Sequence, residues 1–271
     1  MRAAAERRGR RPRVLYTDLD GTLLGPGGSL FAGSSGVTDA AASALTALHR
    51  AGIEVVPLSG RTEEQVREVA RLLGATSFIA ELGGIVWMGE RIARYGAHPG
   101  PGTPYEAMAR SGAVAFLLER SAGRLEPHAP WAFRGREVTM LLRGHVDPSE
   151  ANTSLAEAGY GWLRLVDNGQ IPVPGPTDVV HAYHLAPEGV TKADAVAEHL
   201  RRRGLHAGDA VAIGDAPADA AVADHVDAVY IVANGAASVE AAGAGRENVY
   251  VTPSERGEGF AEAVALLLEA A

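Results

Sequence analysis

No cysteine occurs in the 271 residues, which excludes disulfides, thiolate metal sites and cysteine nucleophiles. Lysine is almost as scarce: Lys192 is the only lysine among 25 Lys plus Arg. A chain that uses arginine everywhere else has either kept one lysine by chance or needs a compact ammonium there. Apolar runs are short, and none approaches the roughly 20 residues of a membrane-spanning helix. Basic charge is not in excess either. A formal charge of -8 argues against nucleic-acid and anionic-membrane partners. The basic opening "MRAAAERRGRRPR" has no apolar h-region behind it, because Asp18 and Asp20 follow Val14 closely. Residues 1 to about 12 therefore read as a disordered tail, and a cytoplasmic location is expected.

What is present is a regular alternation. "RVLYTD" is a short apolar run that stops at an acid, the pattern of a buried strand. A helix capped by Thr38 and stopped by Gly52 follows, then a strand in "IEVVPLSG". A helix in "TEEQVREVARLLG" closes at Gly74, and "SFIAE" is a third strand. The alternation resumes at "VTKADAVAEHLRRRG" with "AVAIGD", "PADAAVADHV", "AVYIVA", "NVYVT" and "GFAEAVALLLEAA". Strands alternating with helices predict βαβ units, hence an α/β fold with a Rossmann-like parallel sheet. Residues 85–185 read differently. Strand-like runs ("VTMLLRG", "WLRLVDN", "VVHAYHLA") alternate with the breaks "HPGPGTP" and "IPVPGP", and all three tryptophans lie there. This predicts an α+β domain inserted into a core formed by residues 1–84 and 186–271.

Chemistry gathers at strand ends. Ligands of an open parallel sheet bind beyond its carboxyl ends, at the switch point. "YTDLDG" puts Asp18 and Asp20 at one such end, "PLSG" puts Ser59 at a second and "IGD" puts Asp215 at a third. Converging carboxylates need a cation, and an all-oxygen donor set suits Mg²⁺. Each feature also has a plainer reading. Asp18 and Asp20 can cap a turn, Ser59 or Asp215 can cap a helix, Asp219 can be surface charge, and Lys192 can be a solvated first-turn lysine.

Taken together and in order, "DLDGTLL", "PLSGRT", Lys192 and "GDAPAD" resemble the four motifs of the haloacid dehalogenase superfamily. The large insert resembles the α+β cap of its subclass IIB. "AELGGIVW" is similar to the "ENGG" turn before that cap, and the chain resembles mannosyl-phosphoglycerate and sucrose-phosphate phosphatases. The resemblance implies a Mg²⁺-dependent phosphatase of a small phosphorylated metabolite, such as a sugar phosphate or glycosyl phosphoglycerate, acting through an aspartyl phosphate. It implies Asp18 as nucleophile and Asp20 as general acid and base. Thr22, Ser59, Gly60 and Lys192 would hold the phosphate. Asp18, the Asp20 carbonyl and Asp215 would hold the metal, and Asp219 would brace it. A phosphomutase of the same architecture shares these motifs. So does a catalytically weak phospho-sugar-binding module, which Ala216 and Ala218 suggest, since "GDSxND" is usual where "GDAPAD" stands. Loss of that hydroxyl and amide predicts weaker support of Asp215. In the cap, Trp131, Arg134 and Arg136 are candidate substrate contacts. His181 and His184 of "HAYH" fall on opposite faces of a strand and so form no metal pair.

Overall fold

A computed structural model describes residues 11–171 and 180–269. The tail expected at the start lies outside the described residues for positions 1–10, as does most of "IPVPGP".

Five parallel strands form the core, in the order Val249–Val251, Ala228–Ile231, Ala210–Gly214, Val14–Thr17, Glu54–Pro57. Both faces are buried, so the strands read as continuous apolar runs. Side chains still alternate. Val14 and Tyr16 pack with Ala195, Val196 and Leu200 of helix Lys192–Arg203. Leu15 packs on the opposite face with Leu45 and Leu48 of helix Ala40–Arg50, and with Phe260 and Val264 of helix Arg256–Glu269. Chain order reverses about strand Val14–Thr17, which makes its carboxyl end the switch point.

Local signals set the helix positions. Helix Glu63–Leu73 starts with a reciprocal Thr62/Gln65 capping box and ends at Gly74 with φ 68°. Helix Ala40–Arg50 begins one residue later than Thr38 suggests: Asp39 takes the cap position, and Thr38 Oγ1 accepts from the Ala40 amide. The segment "PADAAVADHV" is less regular than its composition predicts, with a single α turn, Pro217–Ala220, running into a 3-10 turn, Ala221–Asp224. Strand Ser77–Ala80 meets the parallel sheet only through the Leu58–Ile79 bridge and is the edge of an antiparallel sheet with Ile85–Met88 and Arg91–Ala93. Those last two strands lie within residues 85–185, yet Ile85–Met88 hydrogen-bonds to the core's edge strand and carries Arg91–Ala93 on its other side.

The inserted α+β cap holds a four-stranded antiparallel sheet, ordered Leu163–Ile171, Val180–Pro187, Met140–Gly144, Leu125–Pro127. Its own core joins Met108, Leu117 and Leu155 from three helices to Leu142, Leu165 and Leu185 of the sheet.

Core and cap are tied at Glu81. Its backbone, like that of Leu82, is left-handed, with φ 46° and 56°, a conformation that costs a non-glycine residue about 1–3 kcal/mol. The fully buried carboxylate offsets this cost. Its Oε1 accepts from Glu137 N at 2.9 Å, and its Oε2 accepts from Val138 N at 3.0 Å, Thr139 N at 2.8 Å and Thr139 Oγ1 at 3.1 Å. Glu81→Gln replaces one acceptor oxygen by an NH₂ group that faces N–H donors. It should lower unfolding free energy by about 1–3 kcal/mol in urea titration; an unchanged midpoint would show that the carboxylate is not the tie.

Candidate active site

The first strand, Val14–Thr17, ends at Thr17, and Asp18 follows it, 5% exposed, with its amide bonded to Ile213 O at 2.9 Å. Lys192, 1% exposed in the first turn of its helix, reaches Asp18 Oδ1 at 2.6 Å and Asp219 Oδ1 at 2.7 Å. Thr191 caps that helix by accepting from Asp194 N, which fixes where its first turn points. The other Asp219 oxygen accepts from the amides of Asp215 and Ala216 at 3.2 and 3.1 Å. One buried ammonium, 174 residues from Asp18 in sequence, thus joins two strand ends.

Asp215 completes the group. Oxygens of Asp18, Asp215 and Asp219 lie within 4.8 Å of one another. Asp215 Oδ1 accepts from Thr22 Oγ1 at 3.3 Å, and its Oδ2 accepts from Asn234 Nδ2 at 3.1 Å. Gly21, with φ 84°, is required here, because a Cβ would come within 2.2 Å of Asp215 Oδ2. Burial first, then the Asp219 and Asp20 charges, push Asp18 up to about 7 against the pull of Lys192. Burial, Asp18 and Asp219 hold Asp215 well above the carboxylate range. Burial alone would lower Lys192, but the two aspartates outweigh it and raise it. Such a set is short of positive charge, and its hard oxygen donors fit a divalent cation.

The other residues expected from sequence are placed variously. Thr22 is fully buried and its hydroxyl is spent on Asp215, so it props that carboxylate instead of facing a phosphate. Asp20 stands outside the carboxylate group, its side chain 53% exposed, and takes a bidentate pair from Arg61 at 2.7 and 2.5 Å. Ser59 is buried at the next strand end, and its Oγ accepts from Arg61 N at 3.2 Å. Gly60 lies under the cap sheet. Trp131 and Arg134 are exposed on the cap loop. Arg136 is not open to a ligand in the way its charge suggested. It is buried, and donates to Trp131 O, Gly60 O and Thr139 Oγ1 at 2.8, 3.2 and 2.9 Å. His181 pairs with Asp167, whereas His184 is fully buried and bonds Thr139, so the two have separate environments as strand alternation requires.

Four contributors escaped the sequence reading. Arg61 sat inside a quoted motif without a role. Asn234 follows strand Ala228–Ile231, a polar strand-end position like the others, and supplies an amide to Asp215. With it, Asp215 is supported despite Ala216 and Ala218. Glu81 sat inside "AELGGIVW" without a role, and His184 was read only as half of a pair that strand alternation splits.

Removing Lys192 leaves Asp18 and Asp219 buried without their shared cation. Lys192→Met should cost about 3–5 kcal/mol where both are ionised. The loss depends on pH. The folded-state pKa of Asp18 lies above its unfolded value, so its stabilising protonated form is complete below about pH 4 and is lost as pH rises through about 7. Without the lysine that pKa moves higher still. Urea unfolding of Lys192→Met should therefore show a larger deficit at pH 8 than at pH 5; equal deficits would contradict the buried-pair account.

Residues 15–94 match the family model of haloacid dehalogenase-like hydrolases. A phosphoglycolate phosphatase of Halobacterium salinarum is 30% identical over 186 residues, 69% of this chain and 70% of that one. A phosphoglycolate phosphatase of Methanoculleus marisnigri is 26% identical over 253 residues, 93% and 95% of the two chains. Among solved structures, a Thermoplasma acidophilum protein superposes with TM-score 0.65 at 19% identity, covering 97% of this chain and 100% of that one. The sucrose-phosphatase of a Synechocystis species, solved with sucrose and phosphate, gives 0.64 at 17%, covering 95% and 98%. These two likenesses show the shared fold. The relatives and the matched segment, which begins on the strand carrying Asp18, go further: the chain belongs to the haloacid dehalogenase-like hydrolase family, as an enzyme of the phosphatase type.

Proposed function

We propose that the chain hydrolyses a small phosphorylated metabolite, a sugar phosphate by class, through an aspartyl phosphate on Asp18. The observation that carries this reading is the Lys192 ammonium, buried at the switch point and bonded to Asp18 at 2.6 Å. An ammonium in that place offsets the repulsion between a carboxylate and an approaching phosphate dianion. Asp18, the Asp20 carbonyl and Asp215 would hold Mg²⁺, with Asp219 beside them. When bound, the ion supplies charge neutralisation at the phosphate oxygens.

The chain's own groups account for the bonds. Asp18 attacks phosphorus, and the ester P–O bond breaks. Asp20 gives a proton to the leaving alkoxide. It then takes a proton from water, whose oxygen attacks the acyl phosphate, returns Asp18 and releases inorganic phosphate. Ser59 Oγ, already an acceptor from Arg61 N, keeps its proton to donate to a phosphate oxygen. Arg61 holds Asp20 as a bidentate pair, which fixes where that carboxylate stands. An incoming phosphate competes for that guanidinium and releases Asp20 toward the leaving oxygen. The cap, running on this reading from about residue 95 to 187, brings further groups to the alcohol half of the substrate.

Two measurements test the scheme on p-nitrophenyl phosphate. Phosphate release should stop in excess chelator and return with Mg²⁺. Asp20→Asn should release about one nitrophenol per site in a burst and then turn over slowly, because nitrophenolate leaves without a proton while water activation is lost. Full activity in chelator, or a burst from Asp18→Asn, would overturn it.

A further inference from the structure

The irregular stretch of strand Leu163–Ile171, where its pairing with Val180–Pro187 shifts register between Asp167 and Gln170, brings the Asn168 amide over the Gly60 loop. His184, on the neighbouring strand, reaches the same place. A Cβ at Gly60 would come within 2.5 Å of His184 Nε2 and 3.4 Å of Asn168 Nδ2. Two buried polar atoms there lack a hydrogen-bond partner among the described residues: His184 Nε2 and Asn168 Oδ1. His184 is 0% exposed. Buried polar atoms are ordinarily satisfied, and unsatisfied ones at a candidate site point to a ligand.

The surrounding bonds decide what kind of ligand. Glu81 receives three backbone amides, so it is an acceptor, and Thr139 gives it the hydroxyl proton at 3.1 Å. A hydroxyl has one proton and two lone pairs. Thr139 Oγ1 therefore accepts twice, from Arg136 Nη1 at 2.9 Å and from His184 Nδ1 at 3.2 Å. That places the imidazole proton on Nδ1 and leaves Nε2 as a bare acceptor. Burial first, then Arg136 and Lys192, hold the ring neutral. Nε2 and Asn168 Oδ1 are both acceptors, so a carboxylate, which brings no proton, gains nothing from them. An ammonium is disfavoured by the nearby Arg136 and Lys192. A neutral hydroxyl satisfies both conditions.

Resting on the phosphatase reading above, we infer that His184 and Asn168 form a hydroxyl-recognising subsite for the alcohol half of the ester, reached as the cap lifts from Gly60. The substrate class is then a polyol or sugar phosphate, and carboxylate-bearing esters are selected against. His184 and Asn168 are specificity residues; the proton transfers remain with Asp20.

The test compares hydroxyl-bearing esters (hydroxyethyl phosphate, glycerol phosphate, hexose phosphates) with carboxylate-bearing ones (phosphoglycolate, phosphoglycerate), with p-nitrophenyl phosphate as reference. In the wild type, the best hydroxyl-bearing ester should exceed the best carboxylate-bearing ester in kcat/KM. Asn168→Ala and His184→Phe should each lower the ratio of that best ester to p-nitrophenyl phosphate by about tenfold. Should His184→Phe fail to fold by circular dichroism, the half-buried Asn168 carries the test. A wild type that prefers phosphoglycolate, or variants that leave the ratio unchanged, would overturn the subsite while leaving the phosphatase reading intact. Absence of phosphate release from every ester, p-nitrophenyl phosphate included, would overturn that reading, and the subsite with it.

Discussion

Three aspartates at the ends of two neighbouring strands are brought together by one buried ammonium. Without Lys192, Asp18, Asp215 and Asp219 would repel each other in a place where water cannot screen them. The lysine does not neutralise the group fully. Asp18 and Asp215 still sit above their ordinary pKa values. This residual deficit of positive charge is stored at the position where a phosphate and its counter-ion would arrive. Buried ion pairs are weak stabilisers on average, so their worth here is positional: the helix, strand Val14–Thr17 and the Asp215–Asp219 turn are held in one register.

A second network couples the cap to that centre. Glu81 gathers the amides of Glu137, Val138 and Thr139, and the Thr139 hydroxyl then orders Arg136 and His184. Arg136 returns to the core by donating to Gly60 O. Thus Gly60, next to Ser59 at the edge of the centre, meets the cap through a backbone carbonyl on one side and the His184 ring on the other. Changes on the cap can reach Ser59 and Gly60 through a few directional bonds, without passing through the apolar core.

Much of this was legible in the sequence because strands that end in acids are local signals. Asp18 and Asp215 are readable from the apolar runs before them, and Lys192 stands out by composition. Gly74 announced the helix end at which the backbone turns left-handed. What could not be read depends on distant pairings. Asp20 meets Arg61 across 41 residues, Glu81 meets Thr139 across 58, and Asn234 meets Gly21 across 213. His184 was read only as lying on the opposite strand face from His181, and only the Thr139 network fixes its tautomer. Arg136 was misplaced for a physical reason: its charge suggested a ligand contact, while its guanidinium satisfies buried carbonyls instead. Thr22 was likewise drawn to a carboxylate that the sequence could not place beside it.

The account stands on the compactness of the lysine head group, which lets one point charge touch Asp18 and Asp219 at once. Arginine keeps the charge but spreads it over a planar fork. The most direct measurement is turnover of p-nitrophenyl phosphate by Lys192→Arg, with folding verified by circular dichroism. The account predicts a folded protein whose kcat falls by about 100-fold or more. Near-normal turnover would contradict it, and would make the chain's single lysine an accident of composition.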